Sequence, residues 1–110
     1  MAGSNLFTGT LDLLVLHTLS RGPKHGYAIG KWLAERTAGV VALEESALYP
    51  ALHRLERKGL IEGVWGQTET ARRARFYTLT HRGKKALLRE TARWEEHAGA
   101  VFAVLGHEEV

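Results

Sequence analysis

Apolar residues recur with a helical period through the first half of the chain, alternate briefly, and then return to the helical period. After Thr10, Leu11, Leu14, Val15, Thr18 and Leu19 fall at i, i+3, i+4, i+7 and i+8, one face of a helix. Leu13 and Leu16 widen that face and predict a largely buried helix. Thr10 is its expected N-cap, Asp12 suits the positive end of the dipole, and Gly22-Pro23 closes it. The preceding Met1-Ala2-Gly3-Ser4-Asn5 is small and polar, and fraying is expected there.

A second helix is predicted from His25 to Thr37, with Ile29 and Leu33 inward and Tyr27 and Trp32 flanking them. Val40-Val41-Ala42-Leu43 reads as a buried connection or a brief strand. A third helix is predicted from Ser46, as its cap, to Lys58. Leu48, Leu52 and Leu55 face the core, and Ser46, Pro50, His53, Arg54 and Arg57 lie opposite, with Tyr49 at the boundary. Pro50 lacks the amide that a helix interior uses, so it must sit near the helix start.

The segments Leu60–Trp65 and Arg75–Thr80 are short and rich in β-branched and aromatic residues, which predicts two strands. The polar stretch Gly66–Ala74 would be a long exposed hairpin tip. Thr80 can cap a last helix reaching Leu105. Its inner positions, Leu87, Thr91, Trp94, Ala98, Val101 and Leu105, step by four and three, as in a coiled-coil seam. About 25 residues at 1.5 Å each extend about 37 Å, more reach than so small a domain needs internally. A second copy of the chain is the expected partner for that seam. The expectation is one compact domain of 110 residues: a mostly α fold with a β-hairpin wing over residues 1–80, then a dimerisation helix over 81–110.

The net charge of +3 says little, but its distribution says more. Arg72, Arg73, Arg75, Arg82, Lys84, Lys85, Arg89 and Arg93 follow closely with Glu90 the one acid among them, whereas Glu95, Glu96, Glu108 and Glu109 make the end acidic. A basic stripe is the footprint expected against a phosphate backbone; an acidic protein partner is the alternative. Cysteine is absent, which excludes disulfides and thiolate metal sites, and the six histidines share no i, i+4 metal spacing. Neither a metal nor a cofactor is therefore expected. No apolar run approaches the roughly 20 residues that span a bilayer, and a secretory leader pattern is missing, so a cytoplasmic protein is expected. Gly-rich phosphate loops and nucleophile elbows are missing too, and Glu44 and Glu45 read as helix-dipole partners rather than an acid/base pair. An enzyme is not expected.

The third helix and the hairpin carry the informative constellation. A major groove about 12 Å wide admits one helix whose open face bears short polar groups or donors. Ser46, Tyr49, His53, Arg54 and Arg57 suit that role, and Arg72, Arg73 and Arg75 would reach neighbouring phosphates or a minor groove.

The same residues resemble a known family. Gly9-Thr10-Leu11-Asp12-Leu13-Leu14-Val15-Leu16 and His25-Gly26-Tyr27-Ala28-Ile29 look like the opening of PadR-like regulators. Ser46-Ala47-Leu48-Tyr49-Pro50-Ala51-Leu52-His53-Arg54-Leu55-Glu56 resembles their recognition helix. Gly59-Leu60-Ile61, Arg73-Ala74-Arg75-Phe76-Tyr77-Thr78-Leu79-Thr80 and Gly83 resemble the wing and the entry to the last helix. The resemblance runs from about Leu6 to Leu105. It implies a homodimeric winged helix-turn-helix repressor of the short form on double-stranded, palindromic DNA. Contacts would fall on Ser46, Tyr49, Arg54 and Arg57 and on the wing arginines, with the last helix crossing to the partner beside the first. It also implies an effector site, since some short members take planar aromatic compounds between subunits near a last-helix tryptophan. Trp94 matches that placement, and a dimer-core tryptophan is the other reading of it.

Overall fold

A buried apolar face nucleates the first helix, and the helix then propagates further back than the apolar pattern does. In the computed structural model, which describes residues 2–106, α1 spans Ala2–Ser20. Thr10 is thus an interior helical residue and not an N-cap, and the helix includes the opening from Ala2 to Asn5. Extending an existing helix costs far less than starting one, so weak helix formers such as Gly3 and Asn5 are carried along. Met1, His107, Glu108 and Glu109 lie outside the described residues. Leu13, Val15, Leu16, Thr18 and Leu19 are buried on α1. Buried Thr18 satisfies its hydroxyl by donating to the Leu14 carbonyl at 2.8 Å.

The α1 helix ends short of Gly22-Pro23, and a two-residue strand, β1 (Lys24–His25), follows unannounced by any period. His25 then caps α2 (Gly26–Arg36): its Nδ1 accepts the Ala28 amide at 3.4 Å. Thr37 closes α2, donating to the Leu33 carbonyl at 2.8 Å and accepting from the Val41 amide at 2.9 Å. Residues 40–43 form no strand. Val40 is 85% exposed, while Val41 and Leu43 lean on the core.

The third helix, α3, spans Glu45–Arg57. Its N-cap residue is Glu44, which makes no side-chain cap bond, so Ser46 lies inside the first turn and is not the cap. Glu44 and Glu45 place negative charge at the positive end of the helix dipole instead. Pro50 accordingly sits inside the helix, and its missing amide leaves the Ser46 carbonyl without a helical donor.

The hairpin is more regular than the apolar pattern predicts. The strands β2 (Ile61–Gln67) and β3 (Arg73–Leu79) run almost to the tip, leaving only residues 68–72 as the connection. Thr68 is the reason. Its amide donates to the Arg72 carbonyl at 2.8 Å, its carbonyl accepts from Ala71 at 2.9 Å, and its hydroxyl accepts from the Arg72 amide at 3.2 Å. The sheet order is β1-β3-β2, antiparallel throughout, with Trp65 opposite Arg75 and Gln67 opposite Arg73.

The last helix, α4, spans His81–Leu105 and starts as the sequence predicts. The Thr80 hydroxyl accepts from the Gly83 amide at 3.0 Å and donates to the Gly59 carbonyl at 2.6 Å, tying the helix start to the end of α3. The core is built from Val15, Leu16 and Leu19 of α1, Ile29 and Leu33 of α2, and Leu48, Leu52 and Leu55 of α3. Ile61, Tyr77 and Ala86 close it from the sheet and α4. Each of the large aliphatic side chains contributes about 1.5–3 kcal/mol by leaving water.

Among the described residues, only the first turns of α4 join that core, through Gly83 and Ala86 with Leu87 packed alongside. Further on, Trp94, Val101 and Leu105 are 37%, 40% and 62% exposed. The molecule measures 50 × 29 × 25 Å with a radius of gyration of 15.1 Å, against about 13 Å for a compact chain of this length. No helix among the described residues is long and apolar enough to cross a membrane.

Candidate nucleic-acid interface

Burying Leu48, Ala51, Leu52 and Leu55 against α1 and α2 turns the other side of α3 outward. Ser46, Tyr49, Pro50, His53 and Arg57 are all exposed and recur every three to four residues, so they line one stripe. The eleven steps from Ser46 to Arg57 advance about 16 Å along the helix. That stripe is free of internal ion pairs among the described residues.

Tyr49 sits at the edge of the stripe, 39% exposed, with its ring over the start of α2. Gly26 makes this seat possible, since a Cβ there would meet Tyr49 Cε1 at 2.9 Å and its phenolic oxygen at 3.0 Å. The two helices of the helix-turn-helix unit therefore meet at a glycine and an aromatic ring.

Arg54 and Arg75 are placed differently from the other expected contacts. Arg54 points back toward α1 and donates through Nη2 to Asp12 at 2.7 Å, with its side chain 31% exposed. Arg75 lies across β2 and pairs with Glu56 of α3. Space for that crossing comes from Gly63, where a Cβ would fall on the Arg75 guanidinium. The hydrogen bond to Glu56 raises the guanidinium's affinity for its proton further, so Arg75 stays charged. Both arginines clamp α3, one to α1 and one to the wing, and their charges are partly spent inside the molecule.

Neither partner of these clamps, Asp12 nor Glu56, stands out in the sequence as a site residue. Trp65 was equally inconspicuous. On the hairpin it shares a face with Arg73 and Arg75, and the guanidinium carbons lie 4.5 Å and 5.8 Å from its ring centroid. Arg72 and Arg73 are exposed at the hairpin tip. Farther along the basic stripe, Glu90 pairs with Arg89 at 3.6 Å and with Arg93 at 3.2 Å, which offsets those charges.

Trp94 lies on α4, well beyond the part of the helix that joins the core, with its ring stacked on His97 at 5.3 Å. The rest of that helix face continues through Val101 and Leu105.

Three helices with a polar outer stripe on the third, followed by a basic two-stranded hairpin, define a winged helix-turn-helix protein of the kind that regulates transcription by binding DNA. The comparisons with known proteins give the family. The model of the transcriptional regulator PadR-like family matches residues 15–89, and this chain belongs to that family. Among solved structures, a transcriptional regulator from Clostridium thermocellum is similar with a TM-score of 0.79 and 31% identity, over 89% of this chain and 92% of the other. A PadR family transcriptional regulator from Eggerthella lenta gives a TM-score of 0.76 and 32% identity, over 97% and 91%. An uncharacterized protein X from Lysinibacillus sphaericus is 29% identical over 87% of this chain and 88% of its own length.

Proposed function

We propose that the protein is a homodimeric repressor that binds a palindromic operator by placing α3 in the major groove and the wing on the flanking backbone. The carrying observation is the open stripe of Ser46, Tyr49, His53 and Arg57 beside the open wing-tip residues Arg72 and Arg73. Ser46, Tyr49, His53 and Arg57 meet base edges and phosphates, while Arg72 and Arg73 meet phosphates. Arg54 and Arg75 hold α3 in the orientation the groove requires, through Asp12 and Glu56. In this reading residues 1–80 form the DNA-binding unit and 81–110 the dimerisation helix, and the protein works in the cytoplasm.

The dimer reading is supported by the outer half of α4, whose Val101, Phe102, Val104 and Leu105 are 40–86% exposed. A lone soluble domain gains nothing from an apolar helix end held in water. Half-sites would lie one helical turn apart, roughly 34 Å. Trp94 is the proposed contact for a planar aromatic effector, on the strength of its partly open indole on that same helix.

Selection from random duplex DNA at physiological salt tests the function. An inverted repeat should be enriched, and log K should fall steeply with log salt. Recovery of no preferred sequence would overturn the reading.

A further inference from the structure

Four side chains run in a row from the recognition helix to the wing tip. Glu56 on α3 pairs with Arg75, Arg75 lies 5.8 Å from the centroid of Trp65, and Arg73 lies 4.5 Å from that same ring. Trp65 is 54% exposed, an unusual place for an indole unless it is used. Its strand register explains the row: Trp65 faces Arg75, and Gln67 faces Arg73, so both arginines flank the indole on one face of the hairpin. That face continues at its base into Gly63, Tyr77, Ile61 and Leu79, where it meets the core.

We propose that Trp65 is a positioning residue for DNA binding: anchored through Arg75 to Glu56, it holds the Arg73 guanidinium ready for a backbone phosphate beside the groove that α3 enters. The inference rests on the DNA-binding reading above. Arginine on a flexible stem loses rotamer freedom whenever it takes a fixed partner, and a guanidinium already stacked on an aromatic face loses less. Because Arg75 is committed to Glu56, the ordered charge at the wing tip is that of Arg73. The row also fixes the distance between the wing and α3, so both elements meet DNA in one register. Trp65 itself touches no nucleotide in this arrangement.

The test is a double-mutant cycle on operator affinity with the full chain, using Trp65→Leu, Arg73→Ala and the pair. An exposed cation–π contact corresponds to roughly a two- to five-fold change in affinity, so Trp65→Leu, which removes one from each subunit, should cost roughly 4- to 25-fold. Arg73→Ala should cost more and should shallow the slope of log K against log salt by about 1.8, one phosphate in each half-site. Trp65→Leu should leave that slope unchanged, because the phosphate is still neutralised, only less readily. In the double variant the loss should equal that of Arg73→Ala alone.

Trp65→Phe keeps an aromatic face and should recover most of the affinity, which a merely structural contribution to the hairpin would not require. Thermal unfolding of each variant, followed by circular dichroism, reports whether the hairpin change has reached the core; Trp65→Thr, a good strand former without an aromatic face, carries the test if Trp65→Leu is unfolded. Additive losses, a changed slope in Trp65→Leu, or unchanged affinity in a folded Trp65→Leu or Trp65→Thr would overturn the positioning role while leaving DNA binding intact. If the parent protein selects no operator, both readings fall together, and that result is distinct from a parent that binds with indifferent Trp65 variants.

Discussion

Arg54 of α3 donates to Asp12 of α1 at 2.7 Å, and its own Nε is buried without a hydrogen-bond partner among the described residues. The recognition helix is therefore locked to the first helix by a charge that is already incompletely satisfied. Removing either partner strands the other, and Asp12, with its side chain 15% exposed against 31% for Arg54, is the more buried of the two. Asp12→Ala should destabilise by about 2 kcal/mol, and Arg54→Met, which leaves the more buried carboxylate unpaired, by at least as much. Urea unfolding of both variants checks the order.

Gly26 and Tyr49 set the spacing of the two helices that meet DNA. Gly26→Ala adds a methyl 2.9 Å from Tyr49 Cε1, and the ring is free to swing outward because it is 39% exposed. Helix propensity favours the alanine, so the net stability change should stay within about 1 kcal/mol. The larger effect should fall on sequence preference, which moves when Tyr49 leaves its seat. A repeated random-sequence selection with Gly26→Ala and with Tyr49→Ala should show changes at the same operator positions.

Open wing arginines predict a different signature from the helix stripe. Arg72→Ala should weaken all duplexes alike and reduce the salt slope by about 1.8, one phosphate per subunit of the dimer. Arg57→Ala or His53→Ala should weaken the operator more than random duplex. Fluorescence anisotropy with both duplexes across a salt series separates the two classes.

Among the described residues, the outer half of α4 adds no side chain to the buried core. Val101→Asp and Leu105→Asp should therefore yield folded monomers in sedimentation equilibrium, with operator affinity reduced at least 100-fold through loss of the paired half-site. Unfolding on dilution of the parent should track the dimer.

Alkaline stability should carry the mark of Tyr77. Burial pushes its phenol above the ordinary value of 10.0, and nearby Glu56 and Tyr49 add to this against the opposing effect of Arg75. The folded chain thus holds that proton more tightly than the unfolded chain. The associated stability is complete below pH 10 and is lost as pH rises through the folded value. Tyr77→Phe should show a shallower fall in urea midpoint between pH 9.5 and 11.

The four helices, the hairpin and the α4 cap at Thr80 were legible in the chain because each depends on neighbours three or four residues away, or two along a strand. Leu48, Leu52 and Leu55 placed the α3 core face, and the stripe opposite followed from the helical period. The boundaries were less legible. Helix propagation carried α1 back to Ala2, and hydrogen bonds around Thr68 shortened the hairpin tip. The strand β1 exists only because β3 lies beside it.

Local spacing determined the order of elements, the exposure of Ser46, Tyr49, His53 and Arg57, and the apolar reach of α4. Tertiary structure decided which arginines are open. Arg54 and Arg57 look alike on a helical wheel, yet Arg54 meets Asp12, 42 residues away, and Arg57 faces solvent. Arg73 and Arg75 alternate with Ala74 on one strand, yet Glu56 takes Arg75 while Trp65 carries Arg73. A periodic pattern reports the face on which a side chain starts; the partner within reach of a long, charged stem depends on which remote elements the core brings alongside.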